Sequence, residues 1–97
     1  MHARTSTLQG DPGRIDEAIE QYRSALSRVR ELSGNQGAGL LVDRSSGKGI
    51  SITLWDNEQA MTESREQANQ LREQAAEQTA AEIVSVEEYE VAVWEAS

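Results

Sequence analysis

Apolar residues in this chain recur at every second position in some stretches and at every third or fourth in others. The order of those stretches restricts the fold more than any other feature. The clearest two-residue repeat is at residues 49–55, where Ile50, Ile52 and Leu54 share one parity and Ser51, Thr53 and Trp55 the other. Residues 37–43 form a short apolar run before it, and Arg44-Ser45-Ser46-Gly47-Lys48 reads as the turn of a β-hairpin joining the two. A weaker alternation marks a first strand over residues 2–9, with Ala3, Thr5 and Thr7 set against Arg4, Ser6 and Leu8.

Two helical stretches interleave with these strands. Gly10-Asp11-Pro12-Gly13 breaks the first strand, with Asp11 suited to an N-cap and Pro12 to the first helical position. A helix is expected over residues 12–32, because Ile15, Ala18, Ile19, Tyr22, Leu26 and Val29 make one stripe and Gly34 can stop it. Asp56 or Asn57 caps a second helix running to about residue 79, with Met61, Ser64, Ala68, Leu71 and Ala75 as a narrow stripe. The last strand spans residues 81–94. Its apolar parity changes at Glu87-Glu88, which calls for a β-bulge there or for two halves facing different partners.

Strand, helix, strand, strand, helix, strand is the α+β, ferredoxin-like βαββαβ order. It implies a four-stranded antiparallel sheet with two helices on one face. Ile50, Ile52 and Leu54 are expected to face the helices. Ser51, Thr53 and Trp55 then fall on the bare face, where an uncovered Trp suggests a surface for a partner.

At 97 residues the chain supports one domain, residues 1–97. Seventeen acidic residues against nine basic ones give a formal net charge of −8, which argues against binding nucleic acid or an anionic membrane surface. No apolar run reaches the ~20 residues that span a bilayer, and residues 1–10 are polar, so no secretory leader is expected. The chain has no cysteine, hence no disulfide or zinc ribbon, and a cytoplasmic location is expected. The glutamates of the second helix and last strand are spaced as a solvated face, so no metal site is expected. Gly37-Ala38-Gly39 leads into a strand and is not a phosphate loop.

Three stretches carry a resemblance: Gly34-Asn35-Gln36-Gly37, then Ile52-Thr53-Leu54-Trp55-Asp56-Asn57-Glu58-Gln59-Ala60, then Val86-Glu87-Glu88-Tyr89-Glu90-Val91. Together with the element order they resemble the dimeric α+β barrel superfamily, in its antibiotic-biosynthesis-monooxygenase-like branch. The resemblance implies a homodimer in which two sheets face each other with the helices outside. Enzymatic members oxidise aromatic polyketides without a cofactor, or bind and degrade haem, in a pocket between sheet and helices. Residues often implicated there are a first-strand Asn, the strand-three Trp and a helical His or Tyr. Trp55 matches the Trp. The first strand offers Arg4, Thr5 and Ser6 with no Asn, and Ser64 or Arg65 stands where a helical His is often found. The one histidine, His2, reads as a mobile terminus, so no cofactor is expected.

The pocket candidates are therefore Tyr22, Trp55, Met61 and Arg65. Each also has a purely structural reading: Tyr22, Trp55 and Met61 as core, and Arg65 and Arg72 as partners of neighbouring helical glutamates. Two functions are compatible with this pattern. One is a non-catalytic or ligand-binding homodimeric domain that takes a small apolar ligand. The other is a cofactor-independent monooxygenase-like enzyme acting on a small aromatic or polyketide-type substrate. A cavity between sheet and helices with converging polar groups separates an occupied site from a filled core.

Overall fold

The computed structural model describes residues 1–95. Strand β1 (His2–Gln9) is followed by a 3-10 turn (Pro12–Arg14) and helix α1 (Ile15–Val29). Strands β2 (Asn35–Asp43) and β3 (Lys48–Trp55) form the hairpin. Helices α2 (Glu58–Glu63) and α3 (Arg65–Gln78) precede strand β4 (Glu82–Glu90). The sheet is antiparallel in the order β2-β3-β1-β4, with β1 and β3 central.

The local signals act as the sequence suggests at most boundaries. The Asp11 side chain accepts from the Gly13 N–H and the Asn57 side chain from the Ala60 N–H, so both N-caps are made. Gly34 takes the left-handed conformation at φ 82°, and Gly47 at φ 81°. The second helix differs. It breaks at Ser64, whose hydroxyl donates to the Met61 carbonyl 2.8 Å away, a side-chain bond of the kind that bends or interrupts a helix.

The expected facing of the sheet is reversed. Ser51, Thr53 and Trp55 lie under the helices and are buried, whereas Ile50, Ile52 and Leu54 lie on the bare face and are half-buried. Register carries the same assignment across the sheet. Arg4 pairs with Thr53 and Glu88, and Ser6 with Ser51 and Val86, all on the helix face. Ala3 pairs with Leu54 and Tyr89, and Thr5 with Ile52, on the bare face. Trp55 is the residue that decides the parity. Fully buried, it packs with Val29 and Met61 and donates from Nε1 to the Thr53 hydroxyl at 3.0 Å.

The last strand differs too. It ends at Glu90 rather than 94, and the irregularity lies not at Glu87-Glu88 but near its start. Thr7 pairs with Ser85 and Leu8 with Ile83, which leaves Val84 as the extra residue. Beyond the bulge, parity runs unbroken and sends Val86 and Glu88 to the helix side. Within this chain Tyr89 and Val93 are exposed and Val91 is half-buried.

The Gly47 position ties the hairpin turn to the start of α1. The Gly10 N–H donates to the Gly47 carbonyl at 2.9 Å, and a Cβ on Gly47 would collide with the Gly10 carbonyl oxygen. Gly47→Ala is expected to cost more than the ~1–2 kcal/mol of the left-handed conformation alone. Gly10→Ala, whose Cβ meets only ordinary van der Waals neighbours, should change stability by less than about 1 kcal/mol. Urea denaturation of the two variants measures the difference.

Candidate functional site

The central strands present a polar surface to the helices. Arg4 and Ser6 of β1 and Ser51 and Thr53 of β3 form the floor of a cavity roofed by Tyr22 of α1 and by Leu71 and Arg72 of α3. Short hydroxyl side chains beneath helices leave space that Ile or Leu would fill, so two small apolar clusters flank the cavity instead of one continuous core. Leu8, Tyr22 and Ala75 form one cluster, and Val29, Trp55 and Met61 the other. The cavity offers about 20 Å³ to the centre of a water-sized sphere, room for about one water.

Arg4 dominates the floor. It is 2% exposed and held on three sides. Its Nη2 donates at 2.7 Å to the Met61 carbonyl, which lies at the C-terminal end of α2 and also accepts from the Ser64 hydroxyl. Its Nε and Nη2 donate to Glu88 Oε2 at 3.1 and 3.0 Å. Its guanidinium carbon lies 5.7 Å from the Trp55 ring centroid, a cation–π distance. Its Nη1 is buried without a hydrogen-bond partner among the described residues, as are the Tyr22 hydroxyl and Arg72 Nε. These three atoms belong to residues that line the same cavity.

Glu88 joins the floor to the rim. It accepts from Arg65 Nη2 at 2.6 Å as well as from Arg4. Burial pushes its carboxyl up, but hydrogen bonds from Arg65 and Arg4, with their charges, outweigh this and hold it below the usual carboxylate range. Burial drives the Tyr22 phenol up to about 12, against a smaller opposing pull from the Arg72 charge. Tyr22 is therefore neutral at physiological pH and can donate a hydrogen bond.

The sequence candidates separate. Tyr22 reaches the cavity wall. Trp55 and Met61 pack in the neighbouring cluster, and Arg65 lies at the outer rim, bonded across to Glu88 rather than to a helical glutamate. Arg72 bonds Asn69 on its own helix and turns half-buried toward the cavity, instead of pairing with a neighbouring glutamate. Glu88 is half-buried, not part of a solvated face. His2 is not a loose terminus: it opens β1 opposite Trp55 and Glu90, with Nδ1 buried. Arg4 and Arg72 are the residues that sequence reasoning passed over. The available signal for Arg4 was its shared parity with Leu8, a cation on the face that a strand would bury.

The sequence profile described as antibiotic biosynthesis monooxygenase matches residues 1–76. The chain belongs to that family. It is 36% identical over 93 residues to the uncharacterized protein Rv2557 of Mycobacterium tuberculosis, covering 95% of this chain and 41% of that protein. It is 33% identical over 94 residues to the uncharacterized protein Rv2558 of the same organism, covering 96% and 39%. The chain thus spans about two fifths of the length of these relatives. Among solved structures it is similar to the haem-degrader MhuD of M. tuberculosis, seen with two haems in its active site, at TM-score 0.74 and 18% identity over 99% of this chain and 100% of that one. It is equally similar, at TM-score 0.74 and 18% identity over 100% and 98%, to a Deinococcus radiodurans protein provisionally assigned as an antibiotic biosynthesis monooxygenase. These structural likenesses show the fold.

The residues at this site do not fit haem. The helices offer the cavity Tyr22, Ala25, Leu26, Val29, Ala68, Leu71 and Arg72, with no His, Cys or Met. The one helical oxygen, the Tyr22 phenol, is held neutral and is a poor iron ligand in that form. Hemin titration is expected to give no sharp, saturable Soret band; a stoichiometric one would overturn this reading.

Tyr22 also makes a pH-dependent contribution. Its folded pKa lies above the ordinary value near 10, so the folded state holds the proton after the unfolded state has lost it. Stability is therefore unaffected below pH ~10 and falls as pH rises from ~10 to ~12, by about 2–3 kcal/mol in all. Tyr22→Phe should lose that alkaline slope. At neutral pH it should also match or exceed the parent in stability, because it removes a buried hydroxyl with no partner. Chemical denaturation between pH 7 and 12 measures both effects.

Proposed function

We propose that this chain is a ligand-binding domain that works as a homodimer and holds a small molecule where the cavity under α3 opens past Arg4 and Arg72. The observation that supports this reading is the set of three buried, unpartnered polar atoms, Arg4 Nη1, Tyr22 Oη and Arg72 Nε, around one cavity. Each unmet donor costs on the order of 1–3 kcal/mol. The cavity has room for about one water, and a ligand that takes its place can supply the partners these groups require.

Cofactor-independent oxidation of a small aromatic rests on the family alone. A phenol held neutral donates rather than abstracts a proton, and the fully buried Trp55 packs beside the cavity without lining it.

The bare face supports the dimer. Ile50, Ile52 and Leu54 run along its centre, Leu41 and Tyr89 flank them at 58% and 50% exposure, and its charges lie at the margins in Asp43, Lys48 and Glu87. An apolar band of this kind is characteristic of a contact surface.

Two measurements test the proposal. Sedimentation should give the mass of two chains for the parent and of one for Ile52→Lys, with helical content retained in the monomer. A single-chain mass for the parent would remove the dimer. An amide-detected NMR screen of small metabolites should yield binders that shift the resonances of residues 4, 22 and 72. Binders that map elsewhere, or none, would remove the site.

A further inference from the structure

We propose that the ligand is a small carboxylate, received between Arg4 and Arg72 with its apolar body against Ile83 and Val86, and that Glu88 is the internal carboxylate against which it competes. This rests on the ligand-binding reading above and adds the chemical class.

The cavity continues outward into a groove of about 440 Å³ between α3 and β4, with Arg4 and Arg72 common to both. Arg65, Glu73 and Glu88 also line the groove. Three of the nine basic residues of a chain with net charge −8 therefore open into one space. With Glu73 and Glu88 in the same lining, the groove carries three cations against two carboxylates, a local excess of positive charge in an acidic chain.

The arginines are placed for planar recognition. A guanidinium presents five donors in a rigid fork that matches a carboxylate. Arg4 is fixed from behind by the Met61 carbonyl and the Trp55 ring, and Arg72 is oriented by its bond to Asn69. Glu88 occupies the Nε and Nη2 of Arg4 and the Nε and Nη2 of Arg65, leaving Arg4 Nη1 and Arg72 Nε open. One carboxylate serves two arginines, and the third has none bonded to it. The Arg72 guanidinium is destabilised by burial and then by the Arg4 charge, so an anion between the two relieves a repulsion already present. Ile83 and Val86 supply an apolar wall on the β4 side of the same groove. The neutral Tyr22 hydroxyl adds a donor on the inner side.

The test uses benzoate, its neutral isostere benzamide and inorganic phosphate as probes, with binding read by NMR titration of the full chain. Benzoate is expected to shift residues 4, 65 and 72, to bind at least tenfold more tightly than benzamide, and to weaken as salt rises. Arg72→Met should weaken benzoate at least tenfold without lowering the melting temperature, since the one hydrogen bond it removes lies within α3 and the group it removes is disfavoured by burial and by the Arg4 charge. Glu88→Gln should tighten benzoate by removing the competitor. Equal binding of benzamide and benzoate at these residues would overturn the carboxylate assignment and leave the ligand site standing. Displacement of benzoate by an equal concentration of phosphate would also overturn it. Absence of binding by every probe, in the parent and in Glu88→Gln alike, would overturn the site itself.

Discussion

The burial of Arg4 is the constraint on which the rest of the structure depends. A guanidinium 2% exposed in the middle of a sheet is tolerable only if its charge and most of its donors are met. Glu88 meets the charge from β4, the Met61 carbonyl meets one donor from the end of α2, and Trp55 supplies a π face from β3. One side chain thereby ties together an edge strand, the C-terminal end of a helix and the largest aromatic. Removing one partner of such a pair costs on the order of 3–5 kcal/mol, a large share of the 5–15 kcal/mol that holds a small domain together.

The polar central strands follow from the same constraint. With Arg4 in place, the neighbouring helix-facing positions are Ser6, Ser51 and Thr53, and the helices rest on the two apolar clusters at either side. The small side chains of α3, Ala68, Ala75 and Ala76, let it approach closely. The helix–sheet layer is therefore a pair of apolar supports with a polar gap between them. Hydrophobic burial stabilises the fold at the supports, and the gap is left available for chemistry.

Element order and most boundaries were legible because they rest on local chemistry. Asp11, Pro12, Gly34 and Asn57 act through their own backbone neighbourhoods, and the first strand ends where the Gly10-Asp11-Pro12-Gly13 break begins. The facing of the sheet was not legible. Parity separates Ile50, Ile52 and Leu54 from Ser51, Thr53 and Trp55 but does not say which set is inside. The rule that the more apolar set faces the helices assumes a sheet with one demanding face. The bulge was misplaced for a related reason: Val84 and Val86 look equivalent by parity, and only pairing with β1 shows that Val84 is the extra residue. The site was the least legible part. Arg65 and Glu88 are 23 residues apart, and Arg4 and Glu88 are 84 apart. No spacing rule joins such residues, and the positions three and four away from Arg65 and Arg72 hold no glutamate to signal where either guanidinium goes.

The irregularities in the sheet lie in its two outer strands. β4 carries Val84 as an extra residue, and β2 carries another between Asn35 and Gly37, where Gln36 is passed over in the pairing with β3. Inner strands β1 and β3 pair with one another in unbroken register. A smooth outer strand is a template onto which another chain can add, and a bulge spoils the even row of N–H and C=O groups that such growth requires. In this sheet the two interruptions make each outer strand a poor template for a further strand. They disfavour open, fibre-like extension of the sheet.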